Sequence, residues 1–386
     1  MLDVTMQHER YGFIDSVRGL ILVLMALDHT SVFWNRGRVA WEGLPVFREG
    51  VLMFNYPVIV SLAQHMTRFV THICAPGFIF LAGMMIAFSS MRRDRDDIGR
   101  KVFSDFLLRR GIFFVFLEVT LIQLIWGYNL FLYPPPGEES FLVIGFGIIS
   151  LFGFLFIILS FLRRMPTLPL LAFSMLVLVG YWVLFPSLAL WTYETQSNLL
   201  LGIAPIVYLP IEFGTHSITT GIYPIIPWIS VVIFGLLYGR LLCGLRKSGR
   251  MGDLKKYTFG VGFCLLILFS VHEYVMDARF SKYPPSIGFL SLTLGVILLL
   301  LGIFQLLEEK GISLRIFQTY GRVPFFLYII HLFLYSLIPS LTGTYAGFSL
   351  LTTYLVWLCG LVILYFPCRW YYDFKQGHRN SFFKYI

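Results

Sequence analysis

Ten windows of roughly 20 apolar residues recur along the chain. Nothing else in the sequence constrains the fold as strongly, because a helix of that length crosses a hydrocarbon core of about 30 Å. They lie near 13–34, 71–91, 109–129, 141–162, 168–188, 222–243, 257–275, 288–307, 321–340 and 347–367. Inside lipid every backbone N–H and C=O must be paired within its own segment, so the windows predict an all-α, polytopic transmembrane helix bundle. With 57% hydrophobic and 13% charged residues, a soluble globule is excluded. Two shorter apolar stretches, 51–63 and 199–211, do not reach across and are candidates for re-entrant segments, which would make ten spans eleven. No repeat, linker or low-complexity tract divides the chain, which reads as one domain over 1–386.

Charge fixes the predicted orientation. The net charge of +9 reflects Lys and Arg gathered on alternate connections, at 92–110, 163–164, 240–256 and 310–322 and in the C-terminal tail. The opposite loops 130–140, 189–221 and 341–346 contain none. The positive-inside rule then places both termini in the cytoplasm. Six cations break the pattern by falling outside: Arg36, Arg38, Arg48, Arg68, Arg279 and Lys282. Basic loops of this kind give no support for nucleic-acid binding. The five cysteines show neither metal-ligand spacing nor a disulfide framework and read as packing residues. The first apolar run lacks a small-residue cleavage site, so it is expected to be retained as a span.

That first span carries Asp15, Arg18, Asp28 and His29, which a simple anchor would not. At about 100° per residue, the eleven steps from Arg18 to His29 bring both onto one helix face. They lie about 16 Å apart along the axis. Ionisable residues within spans are expensive and usually face a cavity or a partner. The others are His72, Glu118, His331 and the pair His272–Glu273. Haem ligation is disfavoured because no span carries two histidines, and nothing in the spacing of His29, Asp28 and His72 demands zinc, so no metal is expected. Two readings remain open from the residues. One is a proton-coupled transporter of a small polar or sugar-like solute, using a midplane Glu and His as a relay. The other is a transmembrane transferase, with cations at the inner mouth for an anionic donor and a base reachable from outside. A scaffold would leave Arg18 and His29 without a purpose.

The Arg-x10-His pattern of Arg18 and His29 resembles that of membrane acyltransferases that modify surface polysaccharides. The fuller string RYGFIDSVRGLILVLMALDH is similar to the start of the bacterial family related to heparan-α-glucosaminide N-acetyltransferase. Further blocks agree in order: THICAPGFIFLAG (71–83), RRGIFFVFLEVT (109–120), YPIIPWISVVIFGLLYG (223–239), KYPPSIGFLSLTLG (282–295) and GRVPFFLYIIHLFL (321–334). The chain departs from the lysosomal enzyme in being shorter, in lacking an N-terminal lumenal domain, and in placing His29 at the position of an Asn.

The resemblance implies a multi-pass protein of the bacterial inner membrane that moves an acetyl or other acyl group. The donor is cytosolic acyl-CoA, and the acceptor is a hydroxyl or amine of a carbohydrate or glycolipid on the other side. Under it His29 is the expected general base and Asp28 a further catalytic candidate, although Asp28 points about 100° away on the helix. Arg18, Arg109, Arg110 and Arg322 are expected to bind the CoA phosphates. Asp15, His72, Glu118 and His331 are expected to line the cavity. Trp34, Trp41, Glu42, Trp191, Tyr193, Glu194 and Glu212 form a set able to stack on a sugar. Membrane lipid is an expected partner, a homodimer is expected by analogy with the family, and the aromatic, basic tail from Cys368 reads as an interfacial anchor.

Overall fold

The structure, a computed structural model, describes residues 11–39, 44–48, 51–55, 61–126, 144–195, 206, 219–221, 223–274 and 280–378. It is an all-α membrane bundle. Helices α1 (Gly12–Trp34), α2 (Leu62–Val70), α3 (Cys74–Arg93), α4 (Asp97–Leu117), α5 (Ile148–Leu162) and α6 (Thr167–Thr195) form the first half. The second half comprises α7 (Ile225–Lys247), α8 (Met251–Tyr274), α9 (Ile287–Glu309), α10 (Arg315–Gly321), α11 (Pro324–Thr342) and α12 (Leu350–Gly377). Among the described residues eight helical units are long and apolar enough to cross a membrane. The windows at 109–129 and 141–162 fall short of that measure. The first is met by α4, whose start is charged, and the second by α5, which has only 15 residues. These two helices pack on each other within the bundle.

The expected re-entrant stretch 51–63 is resolved differently. Val51–Asn55 is a strand, β2, paired antiparallel with β1 (Leu44–Arg48). From Leu62 onward the chain is helical, running through a 3₁₀ turn at Thr71–Ile73 into α3 as one 32-residue unit, so the second span begins earlier than the apolar window. A second small ladder pairs β3 (Ile144–Phe146) in parallel with β4 (Thr219–Gly221). The stretch 199–211, apart from residue 206, and Trp41, Glu42 and Glu212 lie outside the described residues, as do the side chains of Trp191, Tyr193 and Glu194.

Helix α1 is the axis of the bundle, touching α3, α9, α10, α11 and α12. It is apolar on nearly every face, as a helix enclosed by others must be. Close crossings rely on glycine, because without a lipid-driven apolar force helices associate through tight packing of small residues. A Cβ on Gly19 would collide with the Phe317 carbonyl, and one on Gly321 with the Asp15 carbonyl, so α1 and α10 meet backbone to backbone. Gly83 and Gly235 do the same where α3 crosses α7. Helix α11 runs beside α1 in the same direction: Arg18 bonds the Gly321 carbonyl and His29 meets His331. The register that aligns one pair therefore aligns the other.

Candidate functional site

Near the outer end of α1, His29 faces His331 of α11. Its Nδ1 lies 2.7 Å from His331 Nε2, with ring planes 9° apart. His331 is fully buried, and its Nδ1 is 2.7 Å from the Leu327 carbonyl. A carbonyl only accepts, so His331 Nδ1 carries a proton and its Nε2 is the acceptor for His29 Nδ1–H. The tautomers of both rings are thereby set, and His29 Nε2 holds an unprotonated lone pair that makes no hydrogen bond among the described residues. Trp126 and Tyr328 close edge-on around His29 at 5.5 and 6.1 Å, and Phe33 stacks on Trp126 at 5.1 Å. Tyr345 stands edge-on to Phe33 at the outer rim, where burial pushes its phenol above the ordinary range and keeps it a neutral donor.

Asp28 turns away from His29, as its 100° offset requires. Its carboxylate accepts from Arg68 Nη1 at 2.7 Å and Thr71 Oγ1 at 3.1 Å, and pairs with Arg38 at 3.0 Å. Arg38 also donates to the Asp28 carbonyl at 2.8 Å. The 3₁₀ turn between α2 and α3 presents Thr71 just after Arg68, so this clamp ties α1, the segment after it and the second span together. His72, in the same turn, is buried among the rings of Phe69, Phe280 and Phe289 and not against His29.

Glu118 lies in a π-helical turn at Glu118–Ile122, a widening often found near functional sites. Its Oε2 accepts from the backbone N–H of Ile149 at 2.8 Å and of Ser150 at 2.9 Å, so it caps the start of α5. The first N–H groups of a helix lack intrahelical partners, and a carboxylate there also meets the positive end of the dipole. A side chain at Gly147 would strike this carboxylate.

At the inner end, Arg18 donates to the Gly321 carbonyl at 3.0 Å and to Asp15 at 3.3 Å, and Arg322 Nε lies 3.8 Å from Asp15. Arg110 is within electrostatic range of Arg18 and Tyr371, its guanidinium over the rings of Phe114 and Phe156. Arg109 is exposed on the other side of α4. Arg322, over the ring of Tyr372 at 5.2 Å, opens onto a pocket of about 460 Å³ lined also by Arg315, Gln318, Tyr365, Arg369 and Asp373. Of the tail expected as an interfacial anchor, residues 368–377 are the last part of α12, and Arg369, Tyr372 and Asp373 on it line this pocket; residues 379–386 lie outside the described residues.

A family model for heparan-alpha-glucosaminide N-acetyltransferase, catalytic, matches residues 50–273. The chain belongs to this family. No curated protein matches it. Acetyl transfer is the activity class that the N-acetyltransferase family carries. The matched stretch holds Arg68, His72, Arg109, Arg110 and Glu118, whereas Arg18, His29, Arg322 and His331 lie on the two flanks that α1 and α11 fold back onto it. Sequence reasoning missed Arg38, Arg68, Trp126, Tyr328, Arg315 and Arg369 as site residues. For Arg38 and Arg68 a signal existed, since both are exceptions to the charge asymmetry of the loops.

Proposed function

We propose that this chain is a transmembrane acetyltransferase in which acyl-CoA enters through the arginine-lined inner pocket and His29 acts as general base for a carbohydrate hydroxyl or amine arriving from the other side. The observation that carries the reading is the tautomer chain from the Leu327 carbonyl through His331 to His29, which leaves one imidazole nitrogen with an open lone pair. As the acceptor attacks the thioester carbonyl carbon, its proton passes to His29 Nε2. The C–S bond then breaks, the CoA thiolate leaves toward the inner side and takes a proton from water there, and His29 Nε2 gives up its proton to water on the acceptor side, which restores the base. The imidazolium formed at His29 keeps its Nδ1–H on His331 Nε2, so His331 holds the ring's orientation and tautomer as a carboxylate does in a hydrolytic triad. Arg18, Arg322, Arg315 and Arg369 supply planar donors for the CoA phosphates, and their surroundings are basic enough to concentrate an anionic donor. The slim pantetheine arm then has about 16 Å of α1 to follow from Arg18 to His29.

The test is acetyl transfer from acetyl-CoA to glucosamine by the protein in nanodiscs, with His29→Ala and Arg18→Ala beside wild type. His29→Ala is expected to lower turnover about 10²–10⁴-fold while leaving acetyl-CoA affinity and melting unchanged. Arg18→Ala is expected to weaken donor binding. A well-folded wild type that binds no acetyl-CoA would overturn the reading and favour solute transport.

A further inference from the structure

The segment between α8 and α9 carries Lys282, one of the outer exceptions to the charge asymmetry, and the structure buries it to 3% exposure. A lysine so enclosed ordinarily has a carboxylate at its ammonium. Among the described residues no carboxylate stands within ion-pair distance of it; its Nζ lies over the ring of Tyr283 at 5.1 Å. The segment is rigidly built. Ser286 N donates to the Ser281 carbonyl at 2.8 Å, Ser281 N to Ser286 Oγ at 3.2 Å, and the Tyr283 and Tyr223 hydroxyls meet at 3.0 Å. The flanking Phe280 and Phe289 rings pack on His72, next to the Thr71 that bonds Asp28, which places the segment beside the Asp28 clamp, and Lys282 is within electrostatic range of Asp28 and His29.

The surrounding acids among the described residues are already engaged. Asp28 answers both Arg38 and Arg68. Glu118 caps α5. Glu273 bonds its neighbour His272 at 2.9 Å, where both lie against the start of α9 at Gly288. Among the described residues, Arg38, Arg68 and Lys282 thus have one carboxylate between them near His29, and a surplus of charge in a poorly solvated place is costly until an anion completes it.

We propose that Lys282 is a specificity residue that receives an anionic group of the acceptor, a carboxylate or a phosphate on the sugar. The inference rests on the acyl-transfer reading only in calling this ligand the acceptor. An anion at Lys282 also offsets the repulsion that Arg38, Arg68 and Lys282 exert on an imidazolium at His29, so such an acceptor is both anchored next to the base and easier to deprotonate.

Calorimetric binding of glucuronic acid, glucosamine 6-phosphate and glucose to the full chain in nanodiscs, without CoA, tests this independently of catalysis. At least one of the two anions is expected to bind tenfold or more tightly than glucose, as a charge-assisted contact implies (about a factor of ten per contact). Which one does so identifies the source of the charge. Lys282→Met is expected to bring that anion to the level of glucose, and Lys282→Arg to stay within about threefold of wild type. Wild type that binds glucose as well as both anions, or a folded Lys282→Met that still prefers the anion, would overturn the proposal. Should Lys282→Met not fold, the wild-type comparison of anion with glucose still decides. Intact anion binding without acetyl transfer would count against the acyl-transfer reading alone.

Discussion

The two ends of α1 contain almost the same ingredients and use them differently. At each end one aspartate of the helix meets a group of cations: Asp15 with Arg18 and Arg322, and Asp28 with Arg38 and Arg68. The outer pairs are short, at 2.7 and 3.0 Å, and Arg68 comes from 40 positions away, so the carboxylate cross-links separate elements. The inner pairs are longer, at 3.3 and 3.8 Å, and the nearer one is a local i,i+3 contact on α1 itself. Arg322 borders an open pocket, while Arg68 is buried. The same chemical set thus forms a tight clamp at one end of the helix and a looser group of cations at the other, the end where we propose that the donor docks.

That contrast predicts unequal responses. The largest belongs to the outer clamp: Asp28→Ala leaves Arg38 and Arg68 without their buried partner and is expected to destabilise by about 3–5 kcal/mol, read as a lower melting temperature in detergent. Melting like wild type would remove the clamp from the comparison. Next is His331→Ala, which frees the His29 ring and its tautomer. An expected loss of about tenfold to a hundredfold in kcat, with the acetyl-CoA KM held, separates positioning from binding. A KM change instead would place His331 on the donor. Arg369→Ala and Arg322→Ala, at the inner pocket, are expected to weaken acetyl-CoA binding about three- to tenfold each, with less effect at high salt because the contacts are partly exposed.

The bundle was legible because crossing length and apolar composition are properties of single segments. Likewise the shared face of Arg18 and His29 follows from helical angle alone. The partner of His29 did not: His331 is 302 positions away, and only the parallel register of α1 with α11, set by the Gly19–Gly321 crossing, brings the rings together. The stretch 51–63 read as a candidate re-entrant segment because the four consecutive apolar residues Val51, Leu52, Met53 and Phe54 have no period to read, and pairing of Val51–Asn55 with Leu44–Arg48 decided it. Glu118 was recognised as a costly buried acid, but its assignment to the first turn of α5 depends on a π turn and on Gly147, neither visible in a hydropathy pattern. The outer cations were counted as minor exceptions to the charge rule, although Arg38, Arg68 and Lys282 were the residues that the rule could not explain, because Arg68 and Lys282 are buried and Arg38 is paired with Asp28 inside the bundle.

The smallest effect distinguishes the two carboxylates most finely. Asp15→Asn removes the inner charge but keeps its shape, and because its closer ion pair is local the expected stability cost is only about 1 kcal/mol. Binding should move the other way. Arg18 and Arg322 lose a competitor for the donor's phosphates, so acetyl-CoA affinity is expected to rise about two- to fivefold, the range of a modest ion-pair energy. If Asp15 instead holds the guanidiniums in the geometry that phosphate needs, the same substitution lowers affinity, and Asp15→Glu fails to restore it because the longer side chain displaces them. Titration calorimetry of acetyl-CoA on these two variants gives opposite signs for the two cases. A fall in affinity would make Asp15 a clamp after all, of the same kind as Asp28, and the difference between the two ends of α1 would then lie in solvent access alone.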